Sequence, residues 1–219
     1  MTPIVTFVGW HDSGKTTLAS QVVSHLKAAG YRVAVVKSSK EPGIAFDSPG
    51  TDTAKHRMAG ADSVMFIGPD KMVLQAGNDN LPLVALSYRY FSDVDIVIGE
   101  GFKDARRVPK IEVLRDRERM LRNKVHGIIA IATDLEGVEG ENVFRLDESE
   151  AIARFIEKKF LLEQRNKQER AVLFVNGRRM PLKNFVQEVL ASTVHGFVGS
   201  LKFTDQIEEI ELRIRLPKV

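Results

Sequence analysis

The fold of this chain is decided by the stretch IVTFVGWHDSGKTTLA, residues 4–19. Its segment 9–16 fits the pattern G-x-x-x-x-G-K-[ST] at every specified position, between an apolar run and a helical one. Two glycines allow a tight turn, so that the backbone N–H groups of residues 12–17 converge at a helix start. The stretch therefore predicts a nucleoside triphosphate site made of Gly9, Asp12, Ser13, Gly14, Lys15, Thr16 and Thr17. Lys15 is expected to reach the β- and γ-phosphates, and the Thr16 hydroxyl to coordinate Mg²⁺.

Length and composition narrow the class of protein. The chain has 219 residues, 43% of them hydrophobic, which is enough for one α/β core with a small appendage. It has no cysteine, which excludes disulfides, thiolate metal sites and a cysteine nucleophile. No apolar run approaches the roughly 18 residues of a membrane span, and the first strand begins at once. We therefore expect a cytoplasmic protein without a membrane partner.

The net charge of +3 is concentrated near the C-terminus, where residues 165–219 carry ten basic and six acidic side chains. An excess of this size is typical of an ordinary solvated surface, so we expect no nucleic-acid partner.

Strand and helix patterns alternate along the chain, which predicts an α/β P-loop fold with a mainly parallel sheet and helices on both faces. Apolar runs predict strands at 4–8, 32–36, 95–99, 110–114 and 127–132, and a hairpin at 63–67 and 72–76. Helical spacing predicts helices after the phosphate loop, at 52–58 and from Asp147, where Glu150 completes a capping pattern.

The charged run 163–170 predicts a boundary between two domains, 1–164 and 165–219. The second would be a small α+β extension of unknown role, too short for a large core of its own. It is expected to contain a strand at 171–175, an Asn-Gly turn, a helix at 182–194 and a half-exposed strand at 207–216.

Acidic residues after two predicted strands are candidate partners for the metal. Glu100 ends the strand 95–99, where P-loop folds place a carboxylate across from the loop threonine, whereas Asp95 starts that strand and would face the opposite edge. Asp47 lies in the loop 47–53 after the second strand, from which it would approach the γ-phosphate and Mg²⁺. For this loop the alternative is a Pro-Gly turn in which Asp52 caps the next helix.

Asp134 follows the buried strand 127–132 and is a candidate for base recognition. A carboxylate there would accept hydrogen bonds from N1 and N2 of guanine, two donors that adenine does not present in that arrangement. Only the Asp of the usual Asn-Lys-x-Asp pattern is kept, and a helix or turn cap is the alternative.

These segments in this order resemble the MobB family of molybdopterin-guanine dinucleotide biosynthesis proteins. The resemblance covers residues 1–162 and rests on Ser-Gly-Lys-Thr-Thr-Leu (13–18), Asp-x-Pro-Gly-x-Asp-Thr (47–53), Glu-Gly-Phe-Lys (100–103) and Pro-Lys-Ile-Glu-Val (109–113). The chain departs from the family at 37–42, where Lys-Ser-Ser-Lys-Glu-Pro replaces a histidine-rich segment. Residues 168–219 lie outside the common family core.

The resemblance implies a GTP-binding accessory protein with weak GTPase activity that assists the attachment of GMP to molybdopterin. It implies a homodimer that works beside the molybdopterin nucleotidyltransferase. From the residues themselves, hydrolysis would be in-line attack of water on the γ-phosphate, with Lys15 and Mg²⁺ stabilising charge and Glu100 or the 47–52 loop orienting metal or water. Arg57, Arg106 and Arg107 are candidates for an activating arginine, although each is also typical of a solvated side chain.

Two other classes of P-loop protein remain as alternatives. A small-molecule kinase would need an acceptor site and an arginine-rich lid, and no long lid insertion is visible. A partitioning-type ATPase would carry an additional lysine early in the loop, where this chain has Trp10 and His11.

Overall fold

The computed structural model describes residues 2–44, 47–162, 170–176, 178–202 and 206–216. The strands are β1 (Ile4–Val8), β2 (Val33–Lys37), β3 (Ser63–Ile67), β4 (Met72–Ala76), β5 (Ile96–Glu100), β6 (Lys110–Val113), β7 (Ile128–Ala132), β8 (Val143–Phe144), β9 (Leu173–Val175) and β10 (Arg178–Met180). The α-helices are α1 (Lys15–Ala28), α2 (Asp52–Met58), α3 (Leu83–Tyr90), α4 (Ser149–Ile156) and α5 (Asn184–Gly199).

A six-stranded parallel sheet in the order β2-β5-β1-β6-β7-β8 forms the centre of the molecule. Because all six strands run the same way, their carboxyl ends meet at one edge, where such sheets bind ligands. The predicted α/β P-loop fold is confirmed, and each predicted central strand is present to within about one residue.

Apolar side chains cover both faces of this sheet. On one face, α1 and α4 bury Leu18, Val22 and Ile152 against Phe7 and Ile111. On the other face, a smaller cluster contains Ile4, Ala34, Leu83, Val97 and Val108. Three elements, α3, β8 and β10, were not predicted from the sequence. In the described parts of the chain, no helix combines the length and apolar character that a membrane span needs.

Helix α4 begins two residues later than predicted, and the expected capping pattern is wrong. Glu148 is the N-cap residue and makes no side-chain cap, because its carboxylate accepts from the backbone N–H of Arg145 instead. Asp147 lies 3.5 Å from the Arg145 side chain, outside the helix. The helix continues as a π-helical stretch, Glu157–Leu162.

The predicted hairpin is present as β3 and β4, an antiparallel ribbon separate from the central sheet. Among the described elements it contacts chiefly α2, and Arg57 of that helix donates to the Gln75 side chain over 2.7 Å. Its apolar side chains remain exposed, namely Met65, Phe66, Ile67, Met72, Val73 and Leu74.

The C-terminal extension consists of the β9–β10 hairpin and helix α5, consistent with the predicted small α+β appendage. It contacts α3 through the rings of Tyr88 and Phe174, whose centroids are 4.6 Å apart. The strand predicted at 207–216 is wrong, because residues 206–216 pair with no strand and alternation alone does not supply hydrogen-bond partners. The predicted linker at 163–170 falls almost entirely outside the described residues, and the division into two domains stays a prediction.

Candidate functional site

The loop between β1 and α1 adopts the tight turn that the glycine spacing predicts. A Cβ atom on Gly9 would lie 2.5 Å from Ser13 Oγ and 2.6 Å from the carbonyl oxygen of Val113, so no larger residue fits. Gly14 has a φ of +87° and is the N-cap residue of α1, and Asp12 also has a positive φ, 57°. The backbone of the loop is therefore fixed by neighbours on β6 as well as by its own sequence.

Helix α1 begins at Lys15, directly after this turn. The first-turn N–H groups of Lys15, Thr16 and Thr17 have no acceptor within the helix and carry its partial positive charge. Gly14 contributes its carbonyl oxygen to the N–H of Leu18, which closes the first helical turn. This combination has the geometry of helix N-termini that bind phosphates, and phosphate binding by these residues stays a prediction.

The Lys15 side chain folds back across the loop. Its ammonium group donates to the carbonyl oxygen of Trp10 and lies 3.4 Å from Ser13 Oγ. Burial lowers the pKa of Lys15, and the ammonium groups of Lys103 and Lys37 act in the same direction. The lysine is thus held near the phosphate position by contacts that an anion can replace.

Glu100 and Thr16 come together as predicted. Glu100 is the last residue of β5 and is only 9% exposed, and its Oε1 accepts from Thr16 Oγ1 over 2.7 Å. Lys37, its register partner at the end of β2, places Nζ 3.1 Å from the same oxygen. A hydroxyl and a carboxylate are hard oxygen donors of the kind that Mg²⁺ takes beside nucleotide phosphates.

The described residues contain no group of three or more His, Cys, Asp or Glu side chains placed to hold a metal ion. Thr16 and Glu100 therefore fit a magnesium ion that takes most of its ligands from phosphates and water. Asp95 directly precedes β5, at the edge of the sheet opposite Glu100 as predicted, and accepts from the backbone N–H of Arg32 over 2.6 Å.

Asp47 forms its hydrogen bonds within its own loop. Among the described residues its carboxylate accepts from the Thr53 and Thr51 hydroxyls and from the Ser48 N–H. The Thr53 hydroxyl, followed by the other two donors, lowers the pKa of Asp47. The structure does not join Asp47 to the Thr16–Glu100 pair, and its metal role stays a prediction.

The alternative for that loop is confirmed in part. The turn at Pro49 and Gly50 is present, with the N–H of Thr51 donating to the carbonyl oxygen of Ser48 over 3.4 Å. Asp52, however, does not cap α2. The N-cap residue is Thr51, whose hydroxyl accepts from the N–H of Ala54 over 3.2 Å. Asp52 is the first helical residue and pairs with Lys55 at 2.9 Å.

Asp134 lies just beyond β7, on the same edge of the sheet as the P-loop. Its Oδ1 accepts from the N–H of Leu146 over 3.1 Å, so one oxygen stabilises the following turn. Beside it lies a cavity of about 260 Å³, lined by Thr133, Asp134, Leu135, Glu136, Gly137, Val138, Val143, Phe144, Arg145 and Glu148. Asp134 thus makes a structural hydrogen bond to the turn that follows β8, and recognition of a base by Asp134 stays a prediction.

Sequence reasoning missed the contacts that the chain after β6 makes with the loop. Arg115 donates from Nε to the carbonyl oxygen of Ser13 over 3.1 Å. The Trp10 indole N–H donates to the carbonyl oxygen of Arg119 over 2.7 Å, and Lys103 Nζ lies 4.4 Å from the Trp10 ring centroid. These contacts follow from the position of β6 beside β1, which the sheet order shows and the sequence alone does not.

Three arginines were suggested from the sequence as candidates for an activating arginine. Arg106 and Arg107 are exposed, and Arg57 donates a hydrogen bond to the Gln75 side chain on the hairpin.

Two charged side chains of β6 are buried beneath this region. Lys110 donates to the carbonyl oxygens of Ala105, Val108 and His126, and burial lowers its pKa. These bonds hold the loop that carries Lys103 against the sheet.

Glu112 is 1% exposed, and its Oε1 accepts from the N–H of Leu121 over 2.5 Å. Its Oε2 has no hydrogen-bond partner among the described residues. This contact holds the segment whose Arg119 carbonyl oxygen accepts from Trp10.

The family model for molybdopterin guanine dinucleotide synthesis protein B matches residues 4–134, which include the loop, Glu100 and Asp134. The molybdopterin-guanine dinucleotide biosynthesis adapter protein of Escherichia coli is 29% identical over 164 residues, covering 71% of this chain and 92% of that protein. A relative in Methanocaldococcus jannaschii is 25% identical over 99% of both chains, so the C-terminal extension has a counterpart there.

Solved structures agree with these matches. A crystal structure of molybdopterin-guanine biosynthesis protein B is 34% identical with a TM-score of 0.59, covering 71% of this chain and 98% of its own. The Bacillus subtilis MobB structure is 25% identical with a TM-score of 0.56, covering 72% and 97%. The family model spans more than half of the chain, and one of these structures exceeds 30% identity over more than two thirds of it. The chain therefore belongs to the molybdopterin guanine dinucleotide synthesis protein B family, MobB.

Proposed function

We propose that this chain binds Mg·GTP in the P-loop and acts as an adapter in the synthesis of molybdopterin guanine dinucleotide. The observation that carries the nucleotide part is the 2.7 Å contact between Thr16 and Glu100 beside Lys15. Two elements that are distant in sequence, α1 and β5, bring a hydroxyl, an ammonium and a carboxylate to one helix N-terminus. The names of the relatives support the pathway, because the Escherichia coli protein is called an adapter of this synthesis.

In this proposal the phosphates replace the contacts that Lys15 now makes with Trp10 and Ser13. Lys15 neutralises charge that develops on the β- and γ-phosphates, and the first-turn N–H groups of α1 bind the phosphate oxygens. Thr16 and Glu100 would hold Mg²⁺, which, when bound, neutralises further phosphate charge. Any hydrolysis would be slow, in keeping with the weak GTPase activity that the family resemblance implies.

Guanine recognition would occur in the cavity beside Asp134. One carboxylate oxygen is committed to Leu146, which fixes the side chain at the mouth of that cavity. A fixed carboxylate selects guanine, because guanine presents two adjacent donors and adenine does not. The proposal therefore predicts tighter binding of Mg·GTP than of Mg·ATP.

Equilibrium titration of both nucleotides tests this prediction. Asp134→Asn should lose about 1–3 kcal/mol of the preference for GTP, because the amide leaves a base donor unpaired. Binding of ATP should change little in the same variant. Equal affinities for GTP and ATP in the unmodified protein would refute guanine recognition and return the small-molecule kinase as the leading alternative.

We further propose that the chain forms a homodimer through the β3–β4 hairpin. We also propose that the molybdopterin nucleotidyltransferase of the pathway is its partner. A two-stranded ribbon is marginal alone, and this one exposes apolar side chains on both strands, with Ile67 73% exposed. A second copy that covers this ribbon would bury them.

Light scattering on Ile67→Lys tests the dimer, and the expected result is a halved mass with native circular dichroism. The matched control is Phe185→Lys on α5, a residue that is 76% exposed. A monomer in the Phe185 variant and a dimer in the Ile67 variant would assign self-association to the extension instead.

A further inference from the structure

Three lysines lie at or just after the carboxyl ends of β2 and β5, on one side of the P-loop strand β1. Lys37 ends β2, Lys40 follows in the next loop, and Lys103 lies in the loop after β5. The two loops are adjacent: the N–H of Ser38 donates to the carbonyl oxygen of Glu100 over 2.9 Å, and a Cβ on Gly101 would lie 3.3 Å from Ser38 Cβ.

Because the two loops are adjacent, the charge of Lys40 acts on Lys103. Burial lowers the pKa of Lys103, and Lys40 is the next largest cause, while Asp104 and Glu112 oppose the shift. Lys103 and Lys37 in turn help to lower the pKa of Lys15 after burial, the largest cause. The chain thus holds a concentration of positive charge that an anion would relieve.

Sheet order separates this charge from the base cavity. In the order β2-β5-β1-β6-β7-β8, the lysines belong to the β2–β5 side of β1, and Asp134 belongs to β7 on the other side. A nucleotide whose base contacts Asp134 and whose phosphates fill the P-loop has its base on the β7 side. The lysines then lie beyond the γ-phosphate end.

Lys37 is at present engaged by Glu100 Oε1, 3.1 Å away, the oxygen that also accepts from Thr16. A divalent cation held by that carboxylate would repel the ammonium group and release it. Loading of the P-loop would therefore free Lys37 to face an anion next to Lys40 and Lys103.

We propose that Lys37, Lys40 and Lys103 form a second anion subsite, which binds the phosphate monoester group of another ligand beside the γ-phosphate end of the nucleotide. The position relative to the nucleotide rests on the proposed function. The subsite itself rests on the three lysines and their contacts. Lys103 reports on it directly, because its Nζ lies 4.4 Å from the ring centroid of the chain's one tryptophan, Trp10.

The experiment uses inorganic phosphate as the probe and the full chain saturated with Mg²⁺ and a non-hydrolysable GTP analogue. Calorimetry first establishes loading of the nucleotide. Phosphate is then titrated at constant ionic strength against potassium chloride, with Trp10 emission and calorimetry as the two readouts. We expect a saturable emission change, because an anion draws the Lys103 ammonium off the indole.

Substitutions locate the binding. Lys40→Ala and Lys103→Ala should each weaken phosphate binding about tenfold, as for the loss of a charge-assisted contact, and change nucleotide affinity less than about threefold. The matched control is Lys27→Ala, an exposed lysine in the last turn of α1, about 20 Å from the loop. It should change neither affinity.

A parallel titration uses unloaded Lys15→Ala protein, in which the P-loop is disabled, so the subsite is tested even if GTP does not bind. One outcome is that the unmodified chain shows no loading with the GTP analogue by calorimetry while phosphate binds saturably to the Lys15→Ala protein. That result would refute the proposed function and keep the subsite. Loading without saturable phosphate binding would overturn the subsite. Equal weakening in the Lys27 variant would mean an adventitious ion only, and equal loss of nucleotide and phosphate binding in the Lys40 and Lys103 variants would assign those lysines to the nucleotide.

Discussion

The P-loop region and the C-terminal extension contain similar elements, namely short strands and one helix of 14 or 16 residues. The two helices differ in how far their side chains are buried. Helix α1 buries Leu18, Ala19, Val22 and Leu26 against the sheet, whereas none of the side chains of α5, residues 184–199, is buried. Burial of α1 fixes its N-terminus, and with it the position of Lys15. The comparison indicates that an element positions chemical groups only as firmly as its own apolar face is packed.

The largest expected effect comes from removing one charge, that of Lys15, from the well-packed P-loop region. Lys15→Ala should weaken Mg·GTP binding at least about tenfold, or roughly 1.4 kcal/mol, because neutral backbone groups alone would face the phosphates. Circular dichroism should remain native, since the lysine contacts only loop atoms. Unchanged affinity in titrations with a labelled GTP analogue would refute the P-loop assignment.

The second prediction concerns pH. Burial lowers the pKa of Lys15 below 10.5 in the free protein, and bound phosphates stabilise the ammonium and raise that pKa again. The complex therefore holds more protons in the window between the two values, so affinity is full below the free-protein pKa and falls as pH rises through the window.

Lys15→Arg provides the control, because a guanidinium stays charged in this range. Titrations of GTP toward pH 10.5 should show a smaller loss of affinity in this variant. The same loss in both proteins would place the titrating group on the nucleotide or on another lysine.

The smallest expected effect comes from removing the loosely packed C-terminal extension. A chain that ends at Gln164 should bind Mg·GTP with an affinity within about twofold, because the phosphate, metal and base candidates all precede residue 135. Its partner capture should weaken if the exposed α5 is a docking surface. A folded fragment without nucleotide binding would show that the extension is part of the site.

Sequence alone predicted the parts of the fold in which local pattern and long-range packing agree. The P-loop and the carboxylate Glu100 follow from glycine spacing and from an apolar strand that ends in an acid. The strand at 207–216 was wrong because alternation specifies a face but not a neighbouring strand.

Contacts between distant segments could not be predicted from the sequence for the same reason. Two such contacts are the 3.1 Å approach of Lys37 to Glu100 and the hydrogen bond from the Trp10 indole to the carbonyl oxygen of Arg119. Neither is indicated by a local sequence pattern. They depend on strand order, which a single sequence does not state. Asp47 illustrates the converse, since a plausible metal ligand is occupied by hydroxyls six residues or fewer away.

The central position of β1 has a consequence for synthesis of the chain on the ribosome. β1 emerges before the other strands of this sheet, yet both of its neighbours, β5 and β6, are encoded about a hundred residues later. At about 5–20 residues per second, the first strand waits on the order of 5 to 20 seconds for its second neighbour. During that time the nascent chain has no completed phosphate loop, because Val113 is part of its packing. The order of strands therefore makes completion of the phosphate loop a late event, possible only after residue 113 has been translated.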